Sequence, residues 1–211
     1  MTAKEKAARV SALLKQMYPL ADCRLFAGSP FELLVAVRLS AQCTDKRVNL
    51  VTPALFEKYT SLEEYAGARV SELEQIIHPC GFYHTKARDI IAAANKLIED
   101  FGGVLPDTLD ELLTIPGVGR KSANLLLGDV FGKPAVVCDT HVIRISNRLG
   151  LASSTNPEKV EQQLRRLLPP EESNDFCHRV VLFGRDTCTA RSPKCDGCRI
   201  NAYCKEKTRL K

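Results

Sequence analysis

Residues 108–131, TLDELLTIPGVGRKSANLLLGDVF, hold a helix start, a glycine hairpin and a second helix start. Thr108 and Glu111 have the spacing of a capping box, which predicts a short helix to about Thr114. The turn Ile115-Pro116-Gly117-Val118-Gly119 comes next, and its two glycines accept positive φ and let the backbone approach a ligand closely. A second helix is expected from about Arg120, with Ala123, Leu126, Leu127 and Val130 on one apolar face. Such a pair of helices aims unpaired N–H groups and a positive helix end at an anion, and a nucleic-acid phosphate is the anion expected. An ordinary helix–turn–helix corner has the same outline. Lys121, in the first turn of the second helix, and the later run Val137-Cys138-Asp139-Thr140-His141 set this chain apart from it.

The composition is that of a soluble globular protein, 45% hydrophobic and 26% charged over 211 residues, enough for one domain or two small ones. No apolar run approaches the ~20 residues that cross a bilayer. The N-terminal MTAKEKAARV has no signal-peptide core, so nine cysteines are expected as thiols in a reducing compartment. The net charge of +5 is concentrated: residues 184–211 carry eight Lys/Arg against three Asp/Glu, which leaves residues 1–183 balanced. Near a phosphate-binding hairpin, that basic stretch is expected to meet a polyanion.

Elsewhere the periodicity is helical throughout, with no sustained alternation of apolar and polar residues, so the chain is expected to be all-α. A first helix is expected over Ala3–Met17. Ser29-Pro30-Phe31-Glu32 is a strong start for another, apolar on nearly all sides and continuing through LLVAVRLSAQ to Gln42. Thr44–Tyr59 comes after it with Pro53 inside, then capping boxes at Thr60/Glu63 and Ser71/Glu74. A loop Pro79–His84 precedes a helix from about Thr85 to Phe101, and further helices are expected over 140–148, 157–168 and 174–184.

Cys188, Cys195, Cys198 and Cys204 have the spacing C-x6-C-x2-C-x5-C in a segment too polar to bury them all in a core. Four thiolates suit either a tetrahedral zinc or an iron–sulfur cluster. Cys23, Cys43, Cys80, Cys138 and Cys177 lack paired spacing and read as isolated thiols.

Taken together, LTIPGVGRKSAN, VCDTH and the cysteine spacing resemble the endonuclease III family of helix–hairpin–helix DNA glycosylases, over nearly the whole chain. The resemblance implies a six-helix domain over 23–133 that includes the hairpin at 108–131. It implies a second helical domain formed by 1–22 with 134–211, whose loop 188–204 carries a [4Fe–4S] cluster on the four cysteines. The activity implied is removal of damaged, mainly oxidised, pyrimidines from duplex DNA, then β-elimination at the abasic site through a lysine Schiff base. Lys121 would be that lysine, made neutral by the helix end, by Arg120 and by a closed pocket. Asp139 would steady positive charge and move protons, although an Asp before Thr-His also suits an N-cap.

Gln42 matches the residue that fills the space left by an extruded nucleotide; capping its own helix end is the alternative. Phe82 stands where the family inserts a side chain, usually aliphatic, into the base stack; packing is the alternative. Gly117, Val118, Gly119 and Arg120, with His141, Arg144, Arg191 and Lys194, would contact the DNA backbone. The protein is expected to act as a monomer, without a membrane, in the bacterial cytosol. Alternatives are a mismatch or uracil glycosylase, or a non-catalytic DNA-binding module. The adenine-mismatch relative lacks the lysine, uses a glutamate where Ala36 stands, and has a further C-terminal domain that this chain is expected to lack.

Overall fold

Every regular element among the described residues is helical. The computed structural model describes residues 1–206, so Lys207, Arg209 and Lys211 of the basic stretch lie outside the described residues. In order the helices are α1 (Ala3–Met17), α2 (Pro30–Leu39), α3 (Asp45–Lys58), α4 (Leu62–Ala66), α5 (Val70–Ile77) and α6 (Tyr83–Phe101). They continue as α7 (Leu109–Leu112), α8 (Arg120–Asp129), α9 (Thr140–Leu149), α10 (Pro157–Arg165) and α11 (Ser173–Asp186). Single 3-10 turns lie at His78–Cys80, Pro170–Glu172 and Asn201–Tyr203. None of these helices is long and apolar enough to cross a membrane.

Local chemistry explains most starts. Ser29, Thr44, Thr108 and Asn156 each accept a hydrogen bond from the amide three residues on, which satisfies one of the amides a helix start leaves unpaired. Four expectations need correction. The sequence TSLEE contains two overlapping capping frames, and the second is used: Ser61 Oγ accepts from Glu64 N at 3.2 Å while the Glu64 carboxylate takes Thr60 N at 2.5 Å. Helix α5 begins at Val70 after Arg69 with no side-chain cap, which leaves Ser71 inside the helix instead of capping it. Helix α2 stops at Leu39, short of Gln42, because Gln42 adopts φ 53 and cannot continue a right-handed helix. Helix α6 starts two residues early, at Tyr83, because Phe82 at φ 49 forms its N-cap.

The chain divides into two compact units, Cys23–Phe131 and Met1–Asp22 with Gly132 onward. In the first, α2 is the central element and packs against α3, α6 and α8, while α4 and α5 pack against α6. Its residues Leu33, Leu34, Val35, Ala36, Val37 and Leu39 are all buried, as an apolar surface on every side requires. The second unit packs α1 and α9 against α11 and α10 against α9. Leu14, Val142, Ile145, Phe176, Val180 and Phe183 are among its core residues.

Candidate nucleic-acid interface and catalytic residues

The hairpin between α7 and α8 rests on an ion pair. Gly117 has φ +78, and a Cβ there would lie 2.8 Å from Arg38 Cδ and Nε and 2.9 Å from Asp89 Cβ. Arg38, from α2, meets Asp89, from α6, through Nη2–Oδ2 at 2.6 Å and Nε–Oδ2 at 2.8 Å. Only a glycine can both take the left-handed turn and sit that close. Val118 is buried and its amide turns back to Ile115 O at 3.1 Å. The amides of Gly117 and Gly119 have no partner among the described residues, and Gly119 is the N-cap of α8. Two free amides thus stand beside the unpaired first turn of a helix, the arrangement that receives a phosphate oxygen. Arg120 and Lys121 open that helix.

Lys121 is exposed. The closed pocket expected around it is not formed by the hairpin and its neighbours in that unit. Asp139 is the N-cap of α9: Oδ1 accepts from His141 N and Val142 N, both at 2.8 Å, and Oδ2 lies 3.1 Å from His141 Nδ1. Its carboxylate is therefore held in one orientation, with 17% of the side chain still open to solvent. His141 is fixed in turn by that contact.

Gln42 and Phe82 are the only non-glycine residues with positive φ among the described residues. Gln42 is exposed at the third position of a four-residue turn closed by Cys43 N to Ser40 O at 3.1 Å, where glycine is ordinarily preferred. Phe82 leaves 65% of its surface in solvent. Both sit on backbone that costs stability, roughly 1–3 kcal/mol each.

In the other unit, Cys188, Cys195, Cys198 and Cys204 line a single cavity walled by Ile145, Leu149, Phe183 and Ile200. Burial, followed by the other three thiols, pushes the Cys198 thiol up, so four neighbouring thiolates require a strongly cationic centre. Four thiols around one cavity suit the donor set of a polynuclear iron–sulfur centre.

Arg148 fastens this segment at both ends. Its guanidinium donates to Cys188 Sγ at 3.3 Å, Thr189 O at 2.8 Å and Ala190 O at 3.0 Å, and its own carbonyl accepts from Lys205 N at 2.8 Å. Arg144 donates to Cys188 O at 3.0 Å and Gly184 O at 3.3 Å, so its bonds go to the loop backbone. Arg191 and Lys194 are exposed on the loop, with Lys194 N bonded to Thr187 O at 2.9 Å.

Comparison with known proteins decides the family. Residues 35–170 match the HhH-GPD superfamily of base excision DNA repair proteins, and residues 188–204 match the iron–sulfur binding domain of endonuclease III. Endonuclease III of Bacillus subtilis is 46% identical over 90% of this chain and 87% of its own length. That of Synechocystis is 44% identical over 95% and 92%. The chain belongs to the endonuclease III family. A solved structure of a trapped endonuclease III–DNA covalent intermediate is 42% identical, covers 99% of both chains and superposes with a TM-score of 0.93. As a member of the endonuclease III family the protein is a base-excision-repair DNA glycosylase and AP lyase that carries a [4Fe–4S] cluster. Ala36 is fully buried in α2, so no carboxylate stands where the adenine-mismatch relatives place theirs.

Sequence reading missed Arg38, Asp89, Lys86 and Arg148. Arg38 is the one basic residue of α2 and interrupts an apolar run that begins after Glu32, a usable signal; Lys86, Asp89 and Arg148 look like ordinary surface charges and carried none. Gly117→Ala should lose about 3 kcal/mol, from the left-handed φ and the crowding together, and melt roughly 6–12 °C lower. An unchanged melting temperature would mean that the hairpin can move off the ion pair. Arg148→Ala should also lose about 3 kcal/mol, because its hydrogen bonds are charge-assisted, and should retain less iron per chain after gel filtration, measured by colorimetric iron assay.

Proposed function

We propose that the enzyme removes oxidised pyrimidines from duplex DNA and then cuts the abasic strand through a Schiff base on Lys121. The observation carrying this reading is the place of Lys121, exposed in the first turn of α8, directly beyond the two unpaired hairpin amides. A phosphate held on those amides brings the neighbouring sugar to the lysine. The relative trapped covalently on DNA supports the same chemistry here.

In the proposed reaction the Lys121 amine, freed of its proton in the DNA-bound site, attacks C1′. The C1′–N bond to the base breaks and the base leaves with a proton; the C1′–O4′ bond then opens, O4′ takes a proton, and the resulting protonated imine activates the C2′ proton. Loss of that proton expels the 3′ phosphate by β-elimination. Asp139 steadies the positive charge that develops at the sugar. Oδ1 accepts from the α9 amides and Oδ2 faces His141 Nδ1, and the carboxylate held in this way is the group assigned to this and to proton transfer. Gln42 fills the vacated space and Phe82 stacks into the gap.

Gly117, Val118, Gly119, Arg120, His141, Arg144, Arg191 and Lys194 are assigned to the DNA backbone. The two compact units are the enzyme's two domains, it works as a monomer in the cytosol, and Cys188, Cys195, Cys198 and Cys204 hold the cluster. When bound, the cluster supplies a structural tie, so Arg191 and Lys194 are presented on a fixed loop.

Borohydride should trap the wild-type protein covalently on thymine-glycol or abasic duplexes, and Lys121→Gln should bind them without trapping or cleavage. Undiminished trapping by Lys121→Gln removes the proposal. Asp139→Asn keeps a good N-cap and should bind normally, yet turn over on the order of 10²-fold more slowly. If Asp139 serves only as a cap, turnover of the folded protein will instead match the wild type. Affinity for duplex DNA should fall steeply with salt, and Arg191→Ala or Lys194→Ala should flatten the logarithmic slope by about one unit each at most. Wild-type slopes in both variants would place the loop off the DNA.

A further inference from the structure

Lys86 has no part in the chemistry described so far, yet it is completely buried. Its Nζ donates to Leu39 O at 2.8 Å and to Cys80 O at 2.9 Å. These acceptors have something in common. Leu39 is the last residue of α2 and Cys80 the last of the 3-10 turn His78–Cys80, so both are carbonyls that a helix end leaves without a partner. Each also lies at the negative end of its helical segment, where an ammonium is favoured. One lysine from α6 thus closes two helix ends that are far apart in sequence.

Just past each of these ends the backbone is strained. Three residues beyond Leu39 is Gln42, and two beyond Cys80 is Phe82, the two residues held at positive φ. Their turns also approach through Cys43 and Cys80: after burial, the neighbouring Cys43 thiol pushes the Cys80 thiol up. We infer that Lys86 is a positioning residue for base removal: it joins the Gln42 turn to the Phe82 loop so that both side chains meet the duplex in one fixed register. The inference rests on the reading of Gln42 and Phe82 as the residues that enter the base stack.

Two probes on separate loops would enter the duplex independently and order themselves on DNA. Tied through one ammonium, they are ordered before binding, and a displacement of one is transmitted to the other. Methionine in place of Lys86 keeps the volume and removes both bonds. Glutamine keeps a donor that reaches one carbonyl.

The test is a double-mutant cycle read on two substrates. Lys86→Met, Gln42→Ala and the double variant are compared with wild type for single-turnover base removal from a thymine-glycol duplex, and for borohydride trapping on a preformed abasic site. Base removal needs a base driven out of the stack; the abasic site does not. Lys86→Met should slow base removal on the order of 10-fold, as a small misplacement does, and slow abasic trapping clearly less. Combined with Gln42→Ala, it should cost no more than about two-fold further, because it acts through the same turn. Lys86→Gln should recover part of the rate, and if Lys86→Met does not fold, Lys86→Gln replaces it in the cycle.

Equal slowing on both substrates, or full multiplication of the two single effects, overturns the role of Lys86. A Gln42→Ala protein that removes base at the wild-type rate overturns instead the reading of Gln42 on which the inference rests.

Discussion

Helix α2 is apolar on nearly every side, so its C-terminal carbonyls cannot all reach water and must be met from within the protein. Much of the DNA-facing architecture of that unit stems from this constraint. The buried ammonium of Lys86 meets Leu39 O, and Arg38, one residue earlier, turns to Asp89. Lys86 and Asp89 lie three apart on one face of α6, a helix that begins directly after Phe82. That helix supports the Gln42 turn through Lys86, presents Phe82, and forms the surface on which Gly117 rests. Three elements that are separate in sequence are thereby given one rigid backing.

Elements were legible in the sequence where a local hydrogen bond decides them. Ser29, Thr108 and Asn156 accept the amide three residues on because a side-chain oxygen at that spacing has no better partner. Legibility failed where two local solutions compete, as with Thr60 and Ser61, or where tertiary structure outweighs the local preference. Ser71 has the spacing of a cap but lies two residues past the N-cap position, inside α5. The helical reading continues through LSAQ to Gln42; the helix ends at Leu39 instead, where its last carbonyl meets Lys86, from a different helix. The type of each proposed site residue was readable, since hairpin, lysine, aspartate and cysteine spacing are all short-range patterns. Their surroundings were not: the exposure of Lys121 depends on what lies around the hairpin, and that is not written in neighbouring residues.

The segment 188–204 solves a different problem. It contributes one fully apolar buried residue, Ile200, and otherwise exposes polar side chains, so burial alone cannot hold it. Order comes from Arg148, whose guanidinium meets the start of the segment and whose carbonyl meets Lys205 at its end, and from the four thiols around their cavity. A guanidinium suits this place because its planar fork reaches several acceptors at once and stays charged. It also places a positive charge beside sulfur atoms that ionise when a cationic centre binds.

The two strained residues show how far folding requirements explain this unit. For stability alone, glycine would relieve the backbone at position 42, and a small polar residue would spare the exposed ring at position 82. Folding therefore does not account for a glutamine and a phenylalanine in left-handed conformations on the surface. A side chain held at positive φ is directed differently from one on the preceding helical or extended backbone, and the cost is tolerable only where the surroundings enforce it. Here they do: each residue comes soon after a helix end whose last carbonyl is bonded to Lys86. The strain and the buried charge are thus parts of one arrangement, in which a lysine that stabilises little by itself makes two otherwise unfavourable conformations persist.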